Sequence, residues 1–175
     1  MSSIIAKTDE LVWYDGENAV AYNVLTDVEP VVKVALSMFS DDMSAVTGRK
    51  AVHTNNAVLM IVELDKASEK LRKKLARKNV PVDEVMSSYD GFNISVYDGN
   101  VFIVGKNGRG TAYGILEMSR MAGVSPWIWW GDVVPEKKSY LTINRNTSVT
   151  QGASVEYRGI FINDEDWSIR PWSEK

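Results

Sequence analysis

Asn163-Asp164-Glu165-Asp166 sets three carboxylates directly after the apolar run Val155–Ile162. Cleaving a glycosidic bond takes carboxyl groups, one to protonate the leaving oxygen and another to activate water or attack the sugar. Carboxylates at the C-terminal end of a strand are also where (β/α)8 barrels place their chemistry. On composition alone, solvated turn charges are the simpler reading of such a run.

Three other groups of residues could do chemistry. Gly105–Thr111, GKNGRGT, puts glycines before a helix, where exposed backbone N–H groups can hold a phosphate. A P-loop needs a lysine and then Ser or Thr after its last glycine, but here Thr111 follows Gly110 directly. A dinucleotide fingerprint fails too, because Tyr113 stands where the third glycine belongs. The segment therefore reads as a tight strand-to-helix turn, and no cofactor is expected. Arg109 remains as a cation at a helix start, where the dipole disfavours it.

Trp127, Trp129 and Trp130 form an aromatic patch in Pro126–Trp130. Such rings stack on sugar faces and also build interfaces, and interface or core packing is the simpler reading. His53 is the one histidine and there is no cysteine. No metal-ligand spacing includes His53, and no serine motif supports a triad around it, so no metal site is expected.

These residues need a scaffold to position them. Pro30 suits the first turn of a helix, Val31, Val34, Ala35, Met38 and Phe39 recur at helical spacing, and Gly48 marks the end. Ala57–Leu64 is a continuous apolar run of strand length, as in a buried strand. Ala19–Leu25 and Tyr140–Ile143 are shorter strand candidates. Lys66–Asn79 reads as a surface helix that stops before Pro81. Phe92–Tyr97 and Val101–Val104 flank Asp98-Gly99-Asn100, a hairpin signal. Thr111–Ala122 carries a second apolar stripe through Ala112, Ile115, Leu116, Ser119 and Ala122, and Gly123 stops it. Asn144–Ala153 is polar and suits a linker, and Val155–Ile162 is the final strand. The pattern is α+β or mixed α/β, a mixed β-sheet with two or three helices packed on one face. Helices Glu29–Thr47 and Thr111–Ala122 are expected on the same face.

The 175 residues suffice for one domain with a real core, or one domain plus an extension. A hydrophobic content of 45% with 25% charged residues argues against disorder. A net charge of −3 gives no electrostatic reason to expect nucleic acid as a partner. No apolar run approaches the ~20 residues that span a bilayer. Met1–Glu10 lacks a basic region followed by an apolar one, so no signal peptide is read there.

Three blocks, read together, resemble glycoside hydrolase family 115, the xylan α-1,2-glucuronidases. They are Arg109-Gly110-Thr111-Ala112-Tyr113-Gly114-Ile115, then Gly123–Val133, GVSPWIWWGDV, then Tyr157–Glu165, YRGIFINDE, in the right order and spacing. The resemblance implies an enzyme that removes glucuronic acid or its 4-O-methyl ether from xylan. It also implies an N-terminal α/β domain, a catalytic (β/α)8 barrel, a helical region and a β-sandwich. On that map residues 1–145 are the N-terminal accessory domain, 146–154 a linker and 155–175 the start of a truncated barrel. Asn163, Asp164 and Glu165 then match the family's substrate-pocket block, while Asp166 has no counterpart. The resemblance further implies a glucuronoxylan-type partner and a secreted or periplasmic parent, with this piece inactive alone. An open strand edge invites self-association through residues 155–167. The competing reading is a stand-alone carbohydrate-binding or interaction module using the tryptophans; a nucleotide-binding protein is disfavoured by the missing lysine.

Overall fold

The computed structural model describes residues 9–159 and 161. In chain order the elements are β1 (Glu10–Tyr14), β2 (Ala21–Val24), α1 (Pro30–Thr47), β3 (Val52–His53) and β4 (Leu59–Glu63). Next come α2 (Glu69–Ala76), α3 (Val82–Ser87), β5 (Tyr89–Tyr97), β6 (Asn100–Gly105) and α4 (Gly108–Met121). A short α5 (Ile128–Gly131), β7 (Leu141–Asn144) and β8 (Ser148–Ala153) follow. Six strands form one mixed sheet in the order β3-β2-β4-β6-β5-β8. β2, β3, β4 and β6 run parallel, and β5 is antiparallel to both of its neighbours, β6 and β8.

Strand alternation divides this sheet into two buried faces. Leu59 and Ile61 of β4, and Val101 and Ile103 of β6, join the larger core with α1 and α4. Val62, Phe102 and Val104 point the other way, onto Leu75 of α2 and Val82 and Val85 of α3. α1 and α4 therefore share one face, as their stripes required. The sheet's second face has its own helical cover. Each large side chain so buried contributes roughly 1.5–3 kcal/mol.

The α1 stripe is rotated from the expected one. Val32, Ala35, Leu36, Phe39, Met43 and Val46 are buried, whereas Val31, Val34 and Met38 stay exposed. Apolar residues nearly encircle the first half of the helix. Only the buried stripe continues to its end, so it gains the longer contact. Gly48, at φ 83°, closes the helix by donating its N–H to the Ser44 carbonyl at 3.0 Å.

The hairpin forms as its sequence signal requires. Asp98 (φ 51°) and Gly99 (φ 75°) both take positive φ between β5 and β6, the pattern of a tight primed turn.

Three expectations need correction. The expected strand Tyr140–Ile143 does not join the main sheet; as β7 it pairs antiparallel with β1, and this ribbon adds Leu11, Trp13, Leu141 and Ile143 to the larger core. Its partner lies near the far end of the described chain, where no local pattern reports it. Ser148–Ala153, read as linker, is the edge strand β8, held to β5 from Tyr89↔Ala153 to Ser95↔Ser148. Buried Asn93 of β5 reinforces it by donating to Thr150 Oγ1 at 3.1 Å. Finally, residues 155–159 and 161, expected within a strand, are in none, and residues 160 and 162 lie outside the described ones. No neighbouring strand is present among the described residues to pair with them.

Candidate functional site

Gly105 ends β6, and three residues later α4 begins. The chain can turn so sharply because Gly105 has no side chain: a Cβ there would lie inside the contact radius of the Thr111 backbone. Asn107 caps the helix, its Oδ1 accepting the Gly110 N–H at 2.9 Å. Thr111 donates both its N–H (2.9 Å) and its hydroxyl (2.8 Å) to the Asn107 carbonyl. The loop is thus a strand-to-helix turn, and the Gly110 N–H is committed to a protein acceptor. The helix starts earlier than expected, at Gly108, because Asn107 supplies the cap.

Asp90 sits beside this turn and was not singled out by its sequence. An Asp-Gly pair before an apolar run reads as an ordinary turn. Here Asp90 is 5% exposed and adopts φ 45°, in the irregular stretch of the β5–β8 pairing between Tyr89 and Phe92. Its carboxylate accepts from Asn107 Nδ2 at 2.8 Å, pairs with Arg109 at 3.3 Å, and accepts from Arg158 Nη2. Burial alone would raise its pKa; the hydrogen bonds from Asn107 and Arg158, with the charges of Arg109 and Arg158, outweigh that and hold it below the ordinary value. Asp90 therefore stays ionised at neutral pH, as an anchor and not a proton donor. It also explains Arg109: a buried carboxylate offsets the unfavourable helix dipole.

Asp90 lines one end of a groove of about 550 Å³ between α1, α4, β8 and the Val124–Ile128 segment. Phe92, Leu116, Val124, Pro126 and Ile128 give it apolar walls, with Tyr113 and Met38 at the surface. Its other charges are Asp42, whose carboxyl is pushed up mainly by burial, and Glu117 with Arg120, paired through two bonds at 2.6 and 2.7 Å. Two of the groove's carboxylates, Asp90 and Glu117, are thus paired with arginines.

Trp127 lies in sequence between the groove-lining Pro126 and Ile128 and is itself 64% exposed. Trp129 and Trp130 lie in α5; their side chains fall outside the described part. His53 lies in the edge strand β3, exposed, with its ring edge-on to Tyr22 at 5.7 Å. Asn163, Asp164, Glu165 and Asp166 lie outside the described residues. Among the described residues no group of three His, Asp or Glu could hold a metal ion, and no helix is long and apolar enough to cross a membrane.

A second buried carboxylate lies at the C-terminal end of β4. Glu63 is fully buried; its Oε2 accepts the Glu29 N–H at 2.9 Å at the start of α1, and its Oε1 has no partner among the described residues. Burial, reinforced by the charge of Glu29, pushes its pKa above the ordinary 4.5. The folded state therefore holds this proton more tightly than the unfolded chain, and stability falls as pH rises from 4.5 through the raised value. Glu63→Gln is expected to flatten that fall. Urea unfolding across the same pH range checks it, and a variant profile parallel to wild type would show that Glu63 does not titrate this way.

By its fold and its sequence identity to a solved relative, the chain belongs to glycoside hydrolase family 115. The solved structure of a family GH115 4-O-methyl-α-glucuronidase with specificity for decorated arabinogalactans matches 94% of this chain at TM-score 0.79 and 36% identity. This is the family that the three sequence blocks resemble, and the resemblance to its N-terminal domain holds in sequence and in fold. The chain spans only 21% of that enzyme's length. The structure of CpGH84D is matched at TM-score 0.44 and 17% identity, over 61% of this chain and 18% of that one, a likeness too distant to carry an argument. No family model matches the chain, and no curated protein does.

Proposed function

We propose that this chain is the non-catalytic N-terminal domain of a family 115-type α-glucuronidase, which removes glucuronic acid or its 4-O-methyl ether from a plant polysaccharide. The supporting observation is the 36% identity, at TM-score 0.79, to an enzyme of that activity across nearly the whole chain. The chain's own site agrees: it has a groove and an ionic anchor, but its best candidate carboxylates come after the last strand of the domain. In this reading the domain runs through β8, and the barrel begins within residues 155–175. The substrate is a glucuronic acid-bearing polymer, xylan by the sequence resemblance or arabinogalactan by the specificity of the matched enzyme. An intact polymer does not cross the cytoplasmic membrane, so this reading makes the parent secreted or periplasmic.

The test uses two proteins, the 175-residue chain and the full-length parent that this reading implies. Both are incubated with glucuronoxylan and with glucuronic acid-decorated arabinogalactan. Release by the longer protein and none by the short one is expected, because a barrel's catalytic groups come from several strands. Release by the short chain would overturn its non-catalytic role. Inactivity of the longer protein on both polymers would overturn the α-glucuronidase reading. The second reading, a carbohydrate-binding or interaction module, is favoured by the exposed ring of Trp127. It gains if the gene has no barrel and the chain retains xylan on an affinity gel.

A further inference from the structure

We propose that the exposed face of α2 carrying Lys70, Lys74 and Arg77 is a docking surface for an acidic polysaccharide, whose uronate carboxylates these cations meet. The polymer's identity rests on the hydrolase reading above, whereas the surface rests on the charges alone.

Residues 66–78 hold seven of the chain's 20 lysines and arginines and a single acid, Glu69, although the whole chain has a net charge of −3. The fold uses three of the seven. Arg72 donates to the Leu64 carbonyl through Nε at 3.0 Å and Nη2 at 2.5 Å. Lys78 lies over the Tyr97 ring, 4.3 Å from its centre, and reaches Asp98 at 3.8 Å. Lys73 pairs with Glu69 at 2.6 Å. Lys70, Lys74 and Arg77 are exposed, and among the described residues none of the three takes part in an ion pair. Spaced i, i+4 and i+7, they share one face of the helix. With Lys73 and Glu69 they line an open trough of about 490 Å³.

Stability does not account for this stripe. Like charges three or four residues apart destabilise a helix, and Lys70, Lys74 and Arg77 are related in just that way. The helix dipole favours Lys73 and Lys74 in the last turn of α2 but disfavours Lys70 in the first. Leu71 and Leu75, on a different face, hold the helix to the sheet without these cations.

A polyanion would relieve the repulsion. Lys70 to Arg77 spans ~10 Å of helix axis at ~1.5 Å per residue. That is too long for one carboxylate and suits carboxylates repeated along a chain. Each exposed contact is weak alone, but several on one polymer act together. Arg77 can take a carboxylate through two parallel N–H bonds, while the lysines, as point charges, tolerate variable placement of the side groups. A polymer bearing glucuronic acid presents such carboxylates, and a 4-O-methyl ether leaves them intact.

The test titrates the 175-residue chain against fluorescently end-labelled glucuronoxylan, read by anisotropy. A second titration uses the same polymer after its carboxyl groups are reduced to alcohols. Binding is expected to glucuronoxylan at low salt and not to the reduced polymer. Raising ionic strength from ~0.01 M to ~0.15 M shortens the Debye length from ~30 Å to ~8 Å and should weaken it. The triple variant Lys70→Gln, Lys74→Gln, Arg77→Gln should raise Kd at least ~fivefold, as the loss of three exposed charge contacts of ordinary strength would. Lys33→Gln, Lys50→Gln, Arg145→Gln removes as much exposed charge outside α2 and should change Kd less than that. Equal affinity for the native and the reduced polymer would overturn the surface, and this comparison needs no variant. So would an equal loss in the two triple variants, no binding at low salt, or tighter binding to duplex DNA than to glucuronoxylan. Failure of the full-length parent to release glucuronic acid would instead sink the hydrolase reading, and the titrations, which need no catalysis, would still judge the surface.

Discussion

Gly105→Ala is expected to destabilise the domain by more than ~3 kcal/mol, beyond the usual ~1–3 kcal/mol of overpacking. The added Cβ would meet the Thr111 nitrogen and Cα, which are backbone atoms and cannot rotate away. Thr111 cannot retreat, because its N–H and hydroxyl both bind the Asn107 carbonyl. Moving α4 outward would also pull Ile115 and Met118 from the core, where each is at most 1% exposed. Gly48→Ala is the control. Gly48 has a positive φ of 83°, but an added Cβ would meet nothing within 4 Å, so this variant should lose only the ~1–2 kcal/mol of left-handed strain. Urea unfolding of both variants measures the difference. A Gly105→Ala protein as stable as Gly48→Ala would mean that β6 and α4 are not so closely apposed.

In the full-length α-glucuronidase proposed above, Asp164→Ala and Glu165→Ala are each expected to lower kcat/KM on glucuronoxylan at least tenfold, or ~1.4 kcal/mol of barrier. Glycosidic cleavage depends on carboxyl groups placed at the scissile bond, and no solvent species replaces a positioned one at neutral pH. Loss of a single general acid or base typically costs ~100- to 10,000-fold, so tenfold is a conservative threshold. Asp166→Ala should remain within threefold of wild type, since Asp166 has no counterpart in the family's pocket block. Steady-state kinetics of the three variants decides the point. Wild-type kinetics for Asp164→Ala and Glu165→Ala would remove this segment from the pocket. A greater loss in Asp166→Ala than in the other two would show that the chemistry had been assigned to the wrong carboxylates.

Much of the architecture was legible along the chain because its signals are local. Asp98-Gly99 specified the turn between β5 and β6, since few other residues tolerate positive φ at both positions. Pro30 and Gly48 bracketed α1 to within a residue, and the run Ala57–Leu64 contained β4, buried on both faces. The three blocks pointed to the family on residue identity and spacing alone. The glycine loop could be read as a turn from its missing lysine.

What the sequence left open depends on partners distant in the chain. Its local periodicity put the α1 stripe on Val31, Val34, Ala35, Met38 and Phe39, and contact with α4 and the sheet rotated it to Val32, Leu36, Met43 and Val46 around the shared Ala35 and Phe39. β1 waited for β7, and β8 looked like a linker until Asn93 and the edge of β5 gave its polar residues something to bind. Asp90 shows the limit most clearly. By residue type it was a turn aspartate, and burial with an ionised carboxylate is costly unless donors surround it. Those donors, Asn107, Arg109 and Arg158, arrive from two separate segments. Residue types and spacing determined most of the elements and the family; the pairing of β8 and the convergence of distant segments on one carboxylate were decided by the tertiary fold, because strand partners and charge pairs are matters of distance in space and leave no period in the sequence.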